Sequence, residues 1–172
     1  VDPAEHTSAE VGDEALILAR AAPTIVSRDR PAGAALAAET GADVIVMDDG
    51  LQNPSLTKDV SIAVFDGAVG IGNERVLPAG PLRAPLSVQW PRIDAVLIVG
   101  SGLPGDAVAA DAAARGLPVL RAHLEPAAEA ADALDGRRIL AFAGIGRPEK
   151  FFETCRTLGA DIVETRSFAD HH

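Results

Sequence analysis

The chain has 172 residues, 48% of them hydrophobic, enough to fill a core and too many for a disordered tail. Its 15 Lys and Arg against 25 Asp and Glu give a formal charge of −10, which, with 3% aromatics and no Tyr, argues against a nucleic-acid partner. The lone Cys155 excludes an internal disulfide and a cysteine-rich zinc site, and it fits a reducing compartment.

Short β-branched runs alternate with Ala-rich amphipathic stretches, the pattern of βα units in a mostly parallel α/β sheet flanked by helices. In chain order this predicts a helix over Asp13–Arg20, a strand over Thr24–Ser27, a helix over Pro31–Thr40, and strands over Asp43–Met47 and Ser61–Phe65. A strand over Ala95–Val99, a helix over Asp106–Arg115 and a strand over Pro118–Ala122 follow. The last predicted elements are a strand over Arg138–Ala143, a helix over Pro148–Leu158 and a strand over Asp161–Glu164. Pro31 and Pro148 suit first helical turns, where a missing N–H costs nothing, and Gly41, Gly116 and Gly159 suit positions just past helix ends.

Between Gly67 and Pro91 the periodicity lapses into a stretch too rich in Gly and Pro for a strand and too long for a simple turn. It reads as a structured functional loop or an interdomain connection, with a soft boundary near Pro91 dividing 1–90 from a second, smaller α/β half, 91–172. No apolar run approaches the roughly 20 residues that cross a bilayer, so contact with a membrane is expected from the surface. The chain opens on Val1 and its only methionine is Met47, so it is expected to be an internal piece of a longer protein.

Three segments carry residues suited to chemistry. Asp43–Gly50 is an apolar run ending in Asp48, Asp49 and a glycine. Ligands of open α/β sheets bind at the carboxyl ends of strands, and paired acids there suit Mg²⁺, a hard cation preferring oxygen, although the same residues also make an ordinary turn. No G-x-x-x-x-G-K-[ST] phosphate cradle occurs anywhere in the chain. Asp13 and Glu14 open the first predicted helix, where they either complement its dipole or place a base beside a phosphoryl acceptor. Asp170, His171 and His172 follow the last predicted strand; they lack a Cys partner for zinc, and proton transfer by an Asp or His is the other use.

In order, V-G-D-E (Val11–Glu14), M-D-D-G-L-Q (Met47–Gln52), G-N-E-R-V-L-P-A-G-P-L-R (Gly72–Arg83), A-F-A-G-I-G-R-P-E-K-F-F (Ala141–Phe152) and F-A-D-H-H (Phe168–His172) resemble the tetraacyldisaccharide 4′-kinases of lipid A biosynthesis. The resemblance covers essentially the whole chain and implies a P-loop NTPase-like core whose phosphate-binding loop would precede Val1. It implies transfer of the ATP γ-phosphoryl group to the 4′-hydroxyl of a tetraacylated glucosamine disaccharide 1-phosphate, with peripheral contact at the cytoplasmic face of the bacterial inner membrane. Asp13 then looks like the catalytic base and His171 like its dyad partner. Asp48 and Asp49 resemble the Walker B carboxylates, with Gln52 on the same turn, and Glu14 is placed to help hold Mg²⁺. Arg75, Arg83 and Asn73 of the Gly/Pro loop are expected to meet the anionic disaccharide, with Arg28 and Arg30 as second candidates; Arg suits bidentate phosphate contact.

Two positions depart from the family pattern. Asn53 stands where the family commonly has His, and Glu74 where it often has Gly. The rival reading is a non-catalytic α/β ligand-binding or regulatory domain; Asn53 and the missing cradle favour it, whereas Asp13, Asp48, Asp49 and His171 count against it. On either reading the 172-residue chain alone is expected to lack kinase activity, because nothing in it cradles a triphosphate.

Overall fold

A computed structural model of the chain describes residues 1–169; Asp170, His171 and His172 lie outside the described residues. The chain forms two compact units, Val1–Ala122 and a second beginning at His123. The sequence suggests a boundary near Pro91, but strands on either side of that proline pair with each other, so the division falls after Ala122.

In the first unit, α1 (Ser8–Val11) and α2 (Asp13–Ala19) are separated by Gly12 alone. α3 (Arg30–Glu39) begins where the Asp29 carboxylate accepts the Ala32 N–H at 3.2 Å, satisfying one of the amides a helix start leaves unpaired. There follow β1 (Ile62–Asp66), α4 (Leu86–Gln89) running into a 3₁₀ turn over Trp90–Arg92, β2 (Ala95–Val99), α5 (Leu103–Ala114) and β3 (Val119–Ala122). The strands form one parallel sheet in the order β1-β2-β3, with Ile62 opposite Ala95 and Val96 opposite Val119. Parallel neighbours cannot be joined by a hairpin, and the connections accordingly carry α4 and α5.

β2 is central, and its alternate residues Val96 and Ile98 are fully buried. They share one cluster with Trp90, Ile93, and Val108 and Ala112 of α5. Gly105 permits that approach: a Cβ on it would lie 2.6 Å from the Gly67 Cα just beyond β1, so a side chain would push the start of α5 off the sheet.

The second unit comprises α6 (Ala128–Leu134), β4 (Arg138–Ala143), α7 (Pro148–Thr157) and β5 (Asp161–Ser167). β4 and β5 pair in parallel, with a register shift that sets Ile139 opposite Ile162 but Leu140 opposite Glu164. Phe152 and Cys155, about one turn apart on α7, are buried together with Ala141 and Ala160. Cys155 is thus a packed core thiol.

The α/β class and the predicted helices over 13–20, 31–40, 106–115 and 148–158 are present with small shifts of their ends. Two predicted strands are not. Thr24–Ser27 and Asp43–Met47 belong to no ladder. Their β-branched side chains favour extended backbone, but a strand also needs a neighbouring strand to pair its N–H and C=O groups in a ladder, and among the described residues no segment pairs with either in this way. Val44 and Val46 are accordingly 78% and 90% exposed. The short helices α1, α4 and α6 lack the periodic pattern that would have marked them in the sequence.

Candidate active site

Asp48 and Asp49 occupy a turn at the end of the run 44–47, which forms no regular element, and Leu51–Gln52 form the next turn. The Asn53 N–H donates to the Gly50 carbonyl at 3.0 Å, and Leu51 packs against the core of the first unit, which anchors the acidic turn from beneath. Asp49 adopts the left-handed conformation, φ 52°, which Asp tolerates better than most residues. Its Oδ2 lies 2.6 Å from Nη1 of Arg83, with both side chains more than half exposed. Two residues that the sequence assigns separately, one to metal and one to acceptor phosphate, are therefore joined in a single ion pair.

Gln52 points to a residue the sequence reading missed. Its Nε2 donates to Oε1 of Gln89 at 2.7 Å, and Nε2 of Gln89 donates to the Ala84 carbonyl at 2.6 Å. In the sequence Gln89 is one amide between Val88 and Trp90, with nothing local to mark it. Asn53, at the position of the family's usual His, uses its Oδ1 to accept the N–H and hydroxyl of Ser55 at 2.9 and 2.6 Å, while its carbonyl accepts the Lys58 ammonium. That side chain closes a local turn.

The Gly/Pro stretch is an ordered loop. Leu77 N–H donates to the Leu82 carbonyl at 2.9 Å and Leu82 N–H to the Arg75 carbonyl at 3.1 Å. Asn73, expected to meet substrate, spans the loop: Nδ2 donates to the Ala79 carbonyl at 2.8 Å and Oδ1 accepts the Arg75 N–H at 3.1 Å. Gly80 sits so close to Asn73 and Arg75 that a Cβ there would meet Asn73 Oδ1 at 2.0 Å, which makes glycine a steric requirement of this closure. Glu74 has φ 60°, a conformation in which glycine is unstrained, so the family's frequent Gly there has a backbone reason and Glu74 is held against its own preference. Arg75 is exposed on the same loop.

Asp13 is the first residue of α2 and Glu14 the second, both exposed, with the Glu14 N–H donating to Asp13 Oδ1 at 3.1 Å. Among the described residues no group of three or more His, Cys, Asp and Glu side chains is arranged to hold a metal ion, so Glu14 is not gathered with Asp48 and Asp49 into one ligand set. His171 lies outside the described residues. Arg30 donates through Nη1 to the Ser27 carbonyl at 3.1 Å, a local tie at the start of α3, and Arg28 is a neighbouring cation on the same turn.

Just before Asp13, Glu10 accepts the Thr7 N–H at 2.8 Å and the Thr7 hydroxyl at 2.9 Å. Those two bonds, the backbone one first, hold the Glu10 carboxyl below its ordinary value of 4.5. Because the folded value is depressed, the contribution to α1 is present above the unfolded value and is lost as pH falls through the folded one. The Thr7 amide should therefore shift and lose exchange protection with a midpoint below 4.5 in an NMR titration, and Glu10→Gln should abolish the transition.

The parallel α/β unit carries an acidic turn and an arginine loop that closes on it, and its likeness to a solved kinase places its fold in the P-loop kinase class. A family model described as tetraacyldisaccharide-1-P 4′-kinase matches residues 1–172, and the chain belongs to this family. It is 70% identical over its full length to the tetraacyldisaccharide 4′-kinase of Methylobacterium nodulans and 59% identical to that of a Bradyrhizobium strain, covering 51% and 50% of those proteins. It thus spans about half the length of the curated relatives it matches. Among solved structures it resembles LpxK from Aquifex aeolicus in complex with ATP, with TM-score 0.68 and 26% identity over 98% of this chain and 55% of that one.

Proposed function

We propose that the protein containing this chain transfers the γ-phosphoryl group of ATP to the 4′-hydroxyl of a tetraacylated glucosamine disaccharide 1-phosphate, giving lipid IVA. The observation that carries the reading is the match of one family model to all 172 residues. Phosphoryl transfer is catalysed mainly by positioning and charge neutralisation, and the residues present suit those tasks.

The donor set at the acidic turn fits Mg²⁺: two successive carboxylates offer hard oxygens, and Asp49 already accepts a cationic group at 2.6 Å. Mg²⁺ commonly takes only one or two protein carboxylates beside phosphate and water, so the lack of a three-residue cluster among the described residues is compatible with it. When bound there, the ion would neutralise charge on the transferring phosphates. Asp13 is proposed to accept the proton of the 4′-hydroxyl as that oxygen bonds to phosphorus and the bond from phosphorus to the ADP oxygen breaks, with His171 as its partner. Gln52, Asp48 and Asp49 would form the nucleotide side, and Arg75 and Arg83 the anionic-acceptor side. Asn73, which braces the loop, acts by shaping it around those arginines.

The acceptor is a membrane lipid, and we place the reaction at the cytoplasmic face of the bacterial inner membrane with contact from the surface. No helix among the described residues is long and apolar enough to cross a membrane.

The test is transfer of labelled γ-phosphate from ATP to the disaccharide 1-phosphate by a protein of full family length containing this chain. The label is expected on the 4′-oxygen, in a Mg²⁺-dependent reaction, and the 172-residue chain alone is expected to show none. Nucleotide or disaccharide binding by the intact protein without any transfer would replace this reading with the non-catalytic one.

A further inference from the structure

We infer that Gln89 is a positioning residue of this site: a buried strut whose carboxamide ties the acidic turn of Asp48 and Asp49 to the loop end that carries Arg83. The role in the reaction rests on the proposed function; the strut itself rests on geometry alone. Gln89 is only 8% exposed and is the polar member of the buried set among the described residues. Both ends of its carboxamide are used, Oε1 toward Gln52 at 2.7 Å and Nε2 toward the Ala84 carbonyl at 2.6 Å. Gln52 belongs to the turn that follows Asp49, and Ala84 follows Arg83 directly. The 2.6 Å bridge between Arg83 and Asp49 closes the ring.

The strut is mounted on a rigid element. Trp90, next in the chain, is 6% exposed in the core cluster, its ring 6.4 Å from that of Phe65 and 4.9 Å from the Arg115 guanidinium. By contrast, the ion pair it supports is exposed at both ends, and such a pair contributes too little to immobilise two flexible side chains unaided. Fixing the two backbones relative to each other removes part of that entropic cost, and Gln89 adds a direct hydrogen-bonded link between them to the Leu51 packing beneath the acidic turn. Neither residue of matching length meets the demand: Met has no polar end, and ionised Glu can accept from Gln52 but has no donor for Ala84.

Two measurements test this. In NMR spectra of the protein of full family length, the Arg83 Nη1–H resonance should be shifted and slowed in exchange relative to Asp49→Asn. Gln89→Met should move it to the Asp49→Asn position while the amides of Val96 and Ile98 keep their shifts. Gln52→Met breaks the same link from the exposed side and should give the same result, which covers the case in which Gln89→Met does not fold. An Arg83 resonance unmoved by whichever variant folds, or moved only along with the core amides, overturns the strut.

In the protein of full family length, Gln89→Met should lower kcat by roughly 10- to 100-fold with little change in KM for ATP, as misplacement of a reacting group does, and Gln89→Glu should recover part of that loss. Unchanged kcat would overturn the role in the reaction. A full-length wild-type protein that transfers no phosphate would overturn the kinase reading and the catalytic role that rests on it, while the NMR result still decides the strut.

Discussion

In the protein of full family length, Asp13→Asn is expected to lower kcat by about 10²- to 10⁴-fold, the range for removing a general base, with far less change in KM for either substrate. The substitution suits this purpose because Asn has the same shape and is tolerated at a helix start, so α2 should form as before. What is lost is the capacity to take a proton. Asp13 opens α2 immediately after the Gly12 break, exposed at the N-terminal end of the helix, where the backbone N–H groups favour negative charge. Steady-state kinetics over both substrates will check the result. Turnover at the wild-type rate would remove Asp13 from the role of base, and a rise in KM at constant kcat would make it a binding residue.

Trp90→Ala is expected to destabilise the first unit by about 3–5 kcal/mol, the usual cost of deleting a buried aromatic ring from a packed core. The indole is 6% exposed, lies among Ile93, Val96, Ile98 and Val108, has the Phe65 ring 6.4 Å away and carries the Arg115 guanidinium over its ring. Urea unfolding followed by hydrogen exchange at Val96 and Ile98 measures the loss where it occurs; a change under 1 kcal/mol would mean that the cluster collapses around the void. Since Gln89 precedes Trp90, the same variant should also free the Arg83 side chain. The Gln89→Met experiment differs in leaving the core intact.

Much of this architecture was legible from local pattern. The strand of Ala95–Val99 has apolar residues throughout, as a strand covered on both faces does, and Pro148 with Gly159 brackets α7 by backbone chemistry that acts within a few residues. The acidic pair was legible for the same reason: Asp48 and Asp49 end an apolar run and are followed by Gly50. The run before them has the local pattern of a strand, and here that pattern misleads. Val44 to Met47 have the composition to pair, but pairing is a property of two segments, and no described segment forms a ladder with them.

The sequence by itself determined the α/β class, the order of most elements, the family and the candidate catalytic residues, because each depends on short-range periodicity or on motifs contiguous in the chain. Tertiary structure alone decided that Asp49 meets Arg83, that Asn73 braces its own loop, and that Gln89 joins Gln52 to Ala84. It also supplied the reason for a departure visible in the sequence, since only the backbone shows that Glu74 occupies a conformation suited to glycine. The Asp49–Arg83 and Gln52–Gln89 contacts join residues far apart in the chain, and they form only once Trp90 and Leu51 pack into a common core and bring the acidic turn and the arginine loop within hydrogen-bonding reach.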